Sequence, residues 1–422
     1  MTNYEALDRK IDELSGPIIE YAQQILRRPS PSGRELQAQQ YLGEVMKTLG
    51  ADDIDMWEPD YAELSRHPAF VSGRDSFAGS PNLAGTWKGH GGGHSLILAS
   101  HVDVVPEGDP AEWHFKPFGG EVADGVIYGR GASDMKASTA AMFGAISAIN
   151  TLGLRLAGDL TIISTIEEET GSAGSLAAVL RGYKAEAAII PEPTGFAICP
   201  AQQGAARFMV SIKGKSAHAG QRYLGVSAVE KADAIRRAIV KYETYLNKEY
   251  QNELYSHLEM PFTINIGLFQ SGDWFCTVPE KARMEGRMAV PPGLSVRQGL
   301  ENLKDFIQRE TQDDPWFRQH PPEVEVFDTY WEPARIKDDH PLIDIAGQAF
   351  KRRSGREPLV HGTAWGTDGR MFTEFGDTPA LVFGPGTSAH CPDEFLRVND
   401  LMEYTKMLAA IIIDWCGLAN AE

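Results

Sequence analysis

Apolar residues recur at helical spacing from the start of the chain. Ile11, Leu14, Ile18, Ile19, Ala22, Ile25 and Leu26 fall on one face of a 3.6-residue period. The run RRPSPSGRE breaks that pattern, and Ser32 with Glu35 three residues later predicts a capping box opening a second helix. SLILASHVDVV, bounded by GHGGGH, is an unbroken apolar run, the pattern of a buried strand in a largely parallel sheet. DMKASTAAMFGAISAINTLG predicts a small-residue helix ending at Gly153. DLTIISTIEEETG is a second buried strand ending in acidic residues, SLAAVLRGY a helix, and EAAIIPEPTG a third strand ending at Glu192. This alternation predicts an α/β fold with a mostly parallel sheet and helices on both faces.

The pattern changes near residue 205. ARFMVSIKGKSAHAG, FTINIGLFQ, KARMEGRMAV and PEVEVF alternate in the strand manner. VSAVEKADAIRRAIVKYETYL and LENLKDFIQRETQ are amphipathic helices between them. The order β-α-β-β-α-β predicts an α+β, ferredoxin-like domain, an antiparallel sheet with two helices on one face. The α/β pattern then resumes. The expected division is residues 1–204 and 329–422 for the first domain, with 205–328 inserted.

A length of 422 residues exceeds what one core supports, in keeping with two domains. A net charge of −18 repels phosphate backbones, so nucleic acid is excluded as an expected partner. Cys199, Cys276, Cys391 and Cys416 are scattered and form no C-x-x-C pair, which suggests reduced thiols. MTNYEALDRKIDEL lacks the apolar core of a signal peptide. Glu403, Lys406 and Asp414 interrupt the most apolar stretch, LMEYTKMLAAIIIDWCGLA, which reads as an amphipathic helix on a core. A cytoplasmic protein without membrane attachment is expected.

The chemistry gathers at predicted strand ends. His101 and Asp103 lie two apart on one strand and share a face, so Asp103 is placed to accept from the second ring nitrogen of His101. Asp134 follows the turn YGRGAS, Glu167, Glu168 and Glu169 end one strand, Glu192 ends another, and His390 follows LVFGPGTSAH. Open parallel sheets build sites at such ends. Converging carboxylates drive protonation unless cations neutralise them. Zinc accepts mixed imidazole and carboxylate ligands, and paired ions about 3.5–4 Å apart can share a carboxylate.

Taken singly these residues are commonplace, but as an ordered set they resemble a known family. SHVDVVP, WHFKPFGGEVADGVIYGRGASDMK, EEETGSAG, PEPT, GKSAHAG and FGPG…AHCPDE are similar to segments of the aminoacylase, acetylornithine deacetylase, succinyl-diaminopimelate desuccinylase and glutamate carboxypeptidase family. The resemblance implies two divalent ions, zinc first, with cobalt and manganese as alternatives. One would be held by His101, Asp134 and Glu192, the other by Asp134, Glu169 and His390, with Asp134 bridging. It further implies Glu168 as general base, Asp103 as support for His101, and a cis peptide at Asp134–Met135. His218 in GKSAHAG would reach the oxyanion from a partner subunit, and the inserted domain would form the homodimer.

For substrate contacts the resemblance offers Arg287, which suits a carboxylate. Gly362, Thr363 and Arg370 lie in HGTAWGTDGR, a segment resembling a loop near the family's pocket. Cys276 stands where many relatives carry asparagine, so the usual carboxylate pocket is not assured, and Trp274 and Phe275 beside it raise an aromatic substrate. The expected activity is hydrolysis of a small N-acyl amino acid or related N-acyl amine. Removal of formyl or amino groups from an aromatic or heteroaromatic amine is one alternative, and dipeptidase or carboxypeptidase action another. A catalytically silent relative would lack a ligand or the base, whereas all six positions are filled.

Overall fold

The apolar run around Leu98 forms the strand Leu96–His101, buried throughout. It lies between Leu160–Thr165 and Ala187–Ile190 and runs parallel to both. Ala380–Val382 adds a fourth parallel strand beyond Ala187–Ile190. A parallel centre is covered on both faces, which is why these segments carry no polar alternation. The structure, a computed structural model, describes residues 3–419, and the side chains of residues 326–329 lie outside that description, as do the expected domain ends at residues 1–2 and 420–422.

Among the described residues the sheet has nine strands. Eight run in the order Asp53–Trp57, Asn82–Trp87, Leu160–Thr165, Leu96–His101, Ala187–Ile190, Ala380–Val382, Ile198–Gln202 and Ala334–Arg335, and Val360–Thr363 pairs with Ile198–Gln202. Asp53–Trp57 and Asn82–Trp87 join antiparallel, so the sheet is mixed at its flank. Helices cover both faces. Lys136–Thr151 packs between Ser15–Leu26 and Val398–Cys416, and its small residues permit that closeness. A Cβ at Gly144 would lie 2.8 Å from Ile18 and 2.9 Å from Thr405 side-chain atoms. Ala173–Leu180 and Gly369–Phe375 form the other layer, against Leu160–Thr165 and Ala187–Ile190.

The expected capping box at Ser32 does not form. The helix Leu36–Thr48 begins after Glu35 without a side-chain cap. Burial redirects both residues: the Ser32 hydroxyl donates to Glu167, and Glu35 pairs with Arg74 at 3.1 Å and accepts from Ser80 at 2.7 Å. In the C-terminal helix, charges that interrupt the apolar run pair at its edges, Glu403 with Arg353 at 2.8 Å and Lys406 with Asp12 at 2.7 Å.

The chain divides into two compact units, Met1–Ala201, Arg335–His361 and Thr367–Glu422 in the first, and Gln202–Ala334 with Gly362–Gly366 in the second. Gly362 and Thr363 group with the second unit, where Gln203 donates its N–H to the Thr363 carbonyl at 3.1 Å. Within that unit the antiparallel strands run in the order Ile264–Ser271, Lys281–Val290, Gly204–Lys213 and Glu323–Trp331. Helices Ala228–Glu249 and Val296–Thr311 pack together on the sheet. Val296–Thr311 opens with a complete capping box from Ser295 and Gln298. Among the described residues, no helix is long and apolar enough to cross a membrane.

Candidate metal centre

His101 ends its strand and is buried. Its Nε2 lies 3.0 Å from Asp134 Oδ1 and 3.9 Å from Glu192 Oε1. Its Nδ1 lies 2.9 Å from the Asp103 carbonyl oxygen and 3.7 Å from Asp103 Oδ1. The carbonyl of Asp103 therefore orients the ring, where its carboxylate was the expected acceptor. A carbonyl only accepts, so Nδ1 carries the proton and Nε2 faces the acids. The Asp103 carboxylate turns instead to the N–H groups of Glu168 and Glu169, each at 3.2 Å. One residue thus supports both the histidine and the acidic turn.

Asp134 stands between two imidazoles. While Oδ1 faces His101, Oδ2 lies 3.0 Å from His390 Nε2, and the Asp134–Met135 peptide is cis. His390 Nε2 is also 3.2 Å from both oxygens of Glu169. Ligand atoms of His101, Asp134 and Glu169 lie within 4.8 Å of one another, as do those of His101, Glu168 and Glu192. The structure therefore gathers all six acidic and imidazole residues of the expected centre.

The electrostatics follow from crowding. Burial pushes Glu168 and Glu192 well above the usual carboxylate range, and repulsion from Asp134 and Asp368 adds to it. Burial acts the same way on Asp134, but hydrogen bonds with His101 and His390 prevail and hold it well below that range. His390 is pushed up to about 10 by its hydrogen bonds to Asp134 and Glu169. Glu192 Oε1 is buried without a hydrogen-bond partner, a costly state for a carboxylate oxygen. Donor atoms about 3 Å apart can lie on one ion at roughly 2.0–2.2 Å from each. The unpartnered oxygen, the acid excess and the imidazoles all fit divalent cations.

Glu167, the first acid of this turn, serves the fold. It is buried at φ +64° and accepts from the hydroxyls of Ser32, Ser72 (2.8 Å) and Thr170 (2.6 Å), with Arg74 Nε at 2.7 Å. Burial alone would raise its carboxyl, but these partners more than offset it and lower it below 4.5. The unfolded chain then binds this proton first, so the stability Glu167 contributes is present above that value and is lost as pH falls through its folded one. Glu167→Gln is expected to destabilise the protein by about 1–3 kcal/mol at neutral pH. Its melting temperature should fall less steeply than wild type between about pH 5 and 3 in a thermal unfolding series.

Two buried acids escaped the sequence reading. Asp368 accepts from Thr165 Oγ1 at 2.8 Å, and Glu394 accepts from the amide of Asp134 at 2.9 Å. Their only signal was position, inside WGTDGR and four residues past His390. Arg370, expected near the pocket, is buried and donates Nη2 to the Gly171 carbonyl at 2.8 Å, bracing the turn that carries Glu168.

The remaining expected residues lie in the second unit. His218 is exposed and begins the turn Ala219–Leu224, with Nδ1 accepting from Gly220 N at 3.1 Å. Cys276 is exposed, and its carbonyl accepts from Ala219 N at 2.9 Å. Arg287 lines a cavity of about 340 Å³ with Arg207, Asn265 and Trp331, and its Nη2 reaches the Ala364 carbonyl at 3.5 Å. Gly362 and Thr363 are closely packed. A Cβ at Gly362 would lie 2.2 Å from the Tyr255 ring, and buried Thr363 donates its hydroxyl to the Trp365 carbonyl at 2.7 Å.

Comparison with known proteins places the chain in a family. Residues 97–414 match the profile of peptidase family M20/M25/M40, and the chain belongs to that family. It is 27% identical over 440 residues to an N-formyl-4-amino-5-aminomethyl-2-methylpyrimidine deformylase from Bacillus subtilis (strain 168), covering 98% of this chain and 97% of that one. It is 27% identical over 340 residues to a probable succinyl-diaminopimelate desuccinylase from Staphylococcus epidermidis, covering 73% of this chain and 80% of that one. A dinuclear metal-binding M20 peptidase from Bacillus subtilis shares the fold with a TM-score of 0.67 at 16% identity, covering 97% of this chain and 100% of that one. The protein is thus an M20 metallohydrolase acting on amides.

Proposed function

We propose that this protein hydrolyses the amide bond of a small N-acyl compound with two divalent cations, zinc foremost. His101, Asp134 and Glu192 would hold one ion, and Asp134, Glu169 and His390 the other. The observation that carries this reading is Asp134, whose two carboxylate oxygens each lie 3.0 Å from a different imidazole. Bound ions would polarise the scissile carbonyl and lower the pKa of a water towards neutrality. Glu168 is half-buried beside them, and burial raises its affinity for the proton that water must lose. The same carboxyl then returns the proton to the leaving amine, so the acyl carbon gains hydroxyl and the nitrogen gains hydrogen. His218 would steady the oxyanion from the partner subunit of a homodimer formed by the second unit.

For the substrate, a formamide of an aromatic or heteroaromatic amine has the stronger support. Similarity to the deformylase runs along 98% of the chain. Trp274 and Phe275 are 62% and 85% exposed with rings 4.8 Å apart, a pair free to meet an aromatic ring. The N-acyl amino acid reading rests on Arg287 in its cavity. Assay of an N-formyl aminopyrimidine against N-acetylornithine, N-succinyl-diaminopimelate and dipeptides separates them. Trp274→Ala should lower kcat/KM for the formyl substrate by roughly two- to tenfold, the worth of an aromatic contact, and leave N-acetylornithine unaffected. A marked preference for N-acetylornithine would return the assignment to the deacylases.

A further inference from the structure

Glu394 and Arg130 are both buried, at 0% and 3% exposure. Glu394 Oε1 accepts the amides of Ser133 and Asp134, each at 2.9 Å, and Oε2 accepts Arg130 Nη1 at 2.6 Å. Glu394 thus has one carboxylate oxygen on the backbone that carries Asp134 and the other on the Arg130 guanidinium. Arg130 also donates to the Cys391 carbonyl at 3.3 Å, in the segment that carries His390. The two segments are stitched again by Ser388 N to Ser133 Oγ and by Gly129 N to the Glu394 carbonyl, each at 2.9 Å.

The ligands differ in what else holds them. His101 ends Leu96–His101 and Glu192 follows Ala187–Ile190, strands paired directly in the sheet. His390 is half-exposed, on a loop, with φ at +61°. Its place relative to Asp134 depends on the links between its own segment and residues 129–134. We infer that Arg130 and Glu394 are a positioning pair that sets the second cation site, the one shared by Asp134, Glu169 and His390. Their loss should weaken the first site less, because His101 and Glu192 are held by the sheet and only Asp134 there depends on the pair. This rests on the two-cation reading above.

The test is a titration of the full-length, metal-stripped protein with cobalt(II) alone, followed by visible absorption and calorimetry. Wild type should take two ions. Glu394→Gln should bind the first within about threefold of wild type and the second about 10–100-fold more weakly, the range seen when residues that orient ligands are changed. Arg130→Lys keeps the charge but loses the fork, and should show the same asymmetry in milder form. If Glu394→Gln does not fold, the asymmetry in Arg130→Lys decides. Equal weakening at both sites, or none, overturns the inference while the two-cation reading stands. A wild type that takes fewer than two ions overturns both.

Discussion

Glu168→Gln should lose activity by about 10²–10⁴-fold in kcat, the range attributed to a positioned acid–base group, and keep two metal ions per subunit. The substitution preserves shape and removes only the capacity to take and return a proton. Its neighbours argue that the loss would be local. The backbone of Glu168 is held by Asp103, whose carboxylate also holds Glu169, so the turn does not depend on the Glu168 side chain. Elemental analysis alongside steady-state kinetics would separate the two roles of an acid in such a place. If activity survives within tenfold, the base is another group. If metal is lost with activity, Glu168 is a ligand, which its place within 4.8 Å of His101 and Glu192 donor atoms would allow.

Much of this was legible in the amino-acid order, and the exceptions share a cause. Buried strands such as Leu96–His101 announce themselves because burial on both faces leaves no polar alternation. His101, Glu168, Glu169 and Glu192 were legible because they end or follow the buried strands Leu96–His101, Leu160–Thr165 and Ala187–Ile190, whereas Asp134 follows the short antiparallel strand Val126–Tyr128 and was singled out through the resemblance. What was missed depends on partners far apart in sequence. Ser32 has the spacing of a cap, yet the acid it meets is Glu167. Asp103 lies beside His101, but the atom nearest the ring nitrogen is its carbonyl oxygen, a choice set by backbone direction. Gly362 is explained by Tyr255, more than one hundred positions earlier, whose ring occupies the space of a Cβ. Glu394 resembled any surface acid until Arg130 and two amides were found around it. Local spacing carries periodicity and strand ends, and it carries nothing about which buried acid meets which distant donor.

Asp134→Ala should cost the protein both its activity and its metal-dependent stability. In the wild-type chain, removing metal with a chelator should abolish turnover, and adding zinc or cobalt back should restore it. The same addition should raise the melting temperature, because ions that bind only the folded chain stabilise it by about 4 kcal/mol each at a thousandfold excess over Kd. Among the described residues, Asp134 is the one carboxylate that faces both His101 and His390. On the proposed reading, His101 and Glu192 would then be left as two donors for one site and Glu169 and His390 as two for the other, fewer than the three protein ligands a catalytic zinc usually holds. Metal content should therefore fall from two ions per subunit to one or none, and the thermal gain on adding metal should largely vanish. The imidazoles offer an independent reading in the metal-stripped state. His390 is raised to about 10 chiefly by its hydrogen bond to Asp134, so its NMR titration should move down towards the ordinary histidine value in the variant, with Glu169 alone holding it above. An Asp134→Ala protein that still bound two ions tightly and turned over substrate would mean that the cations lie elsewhere.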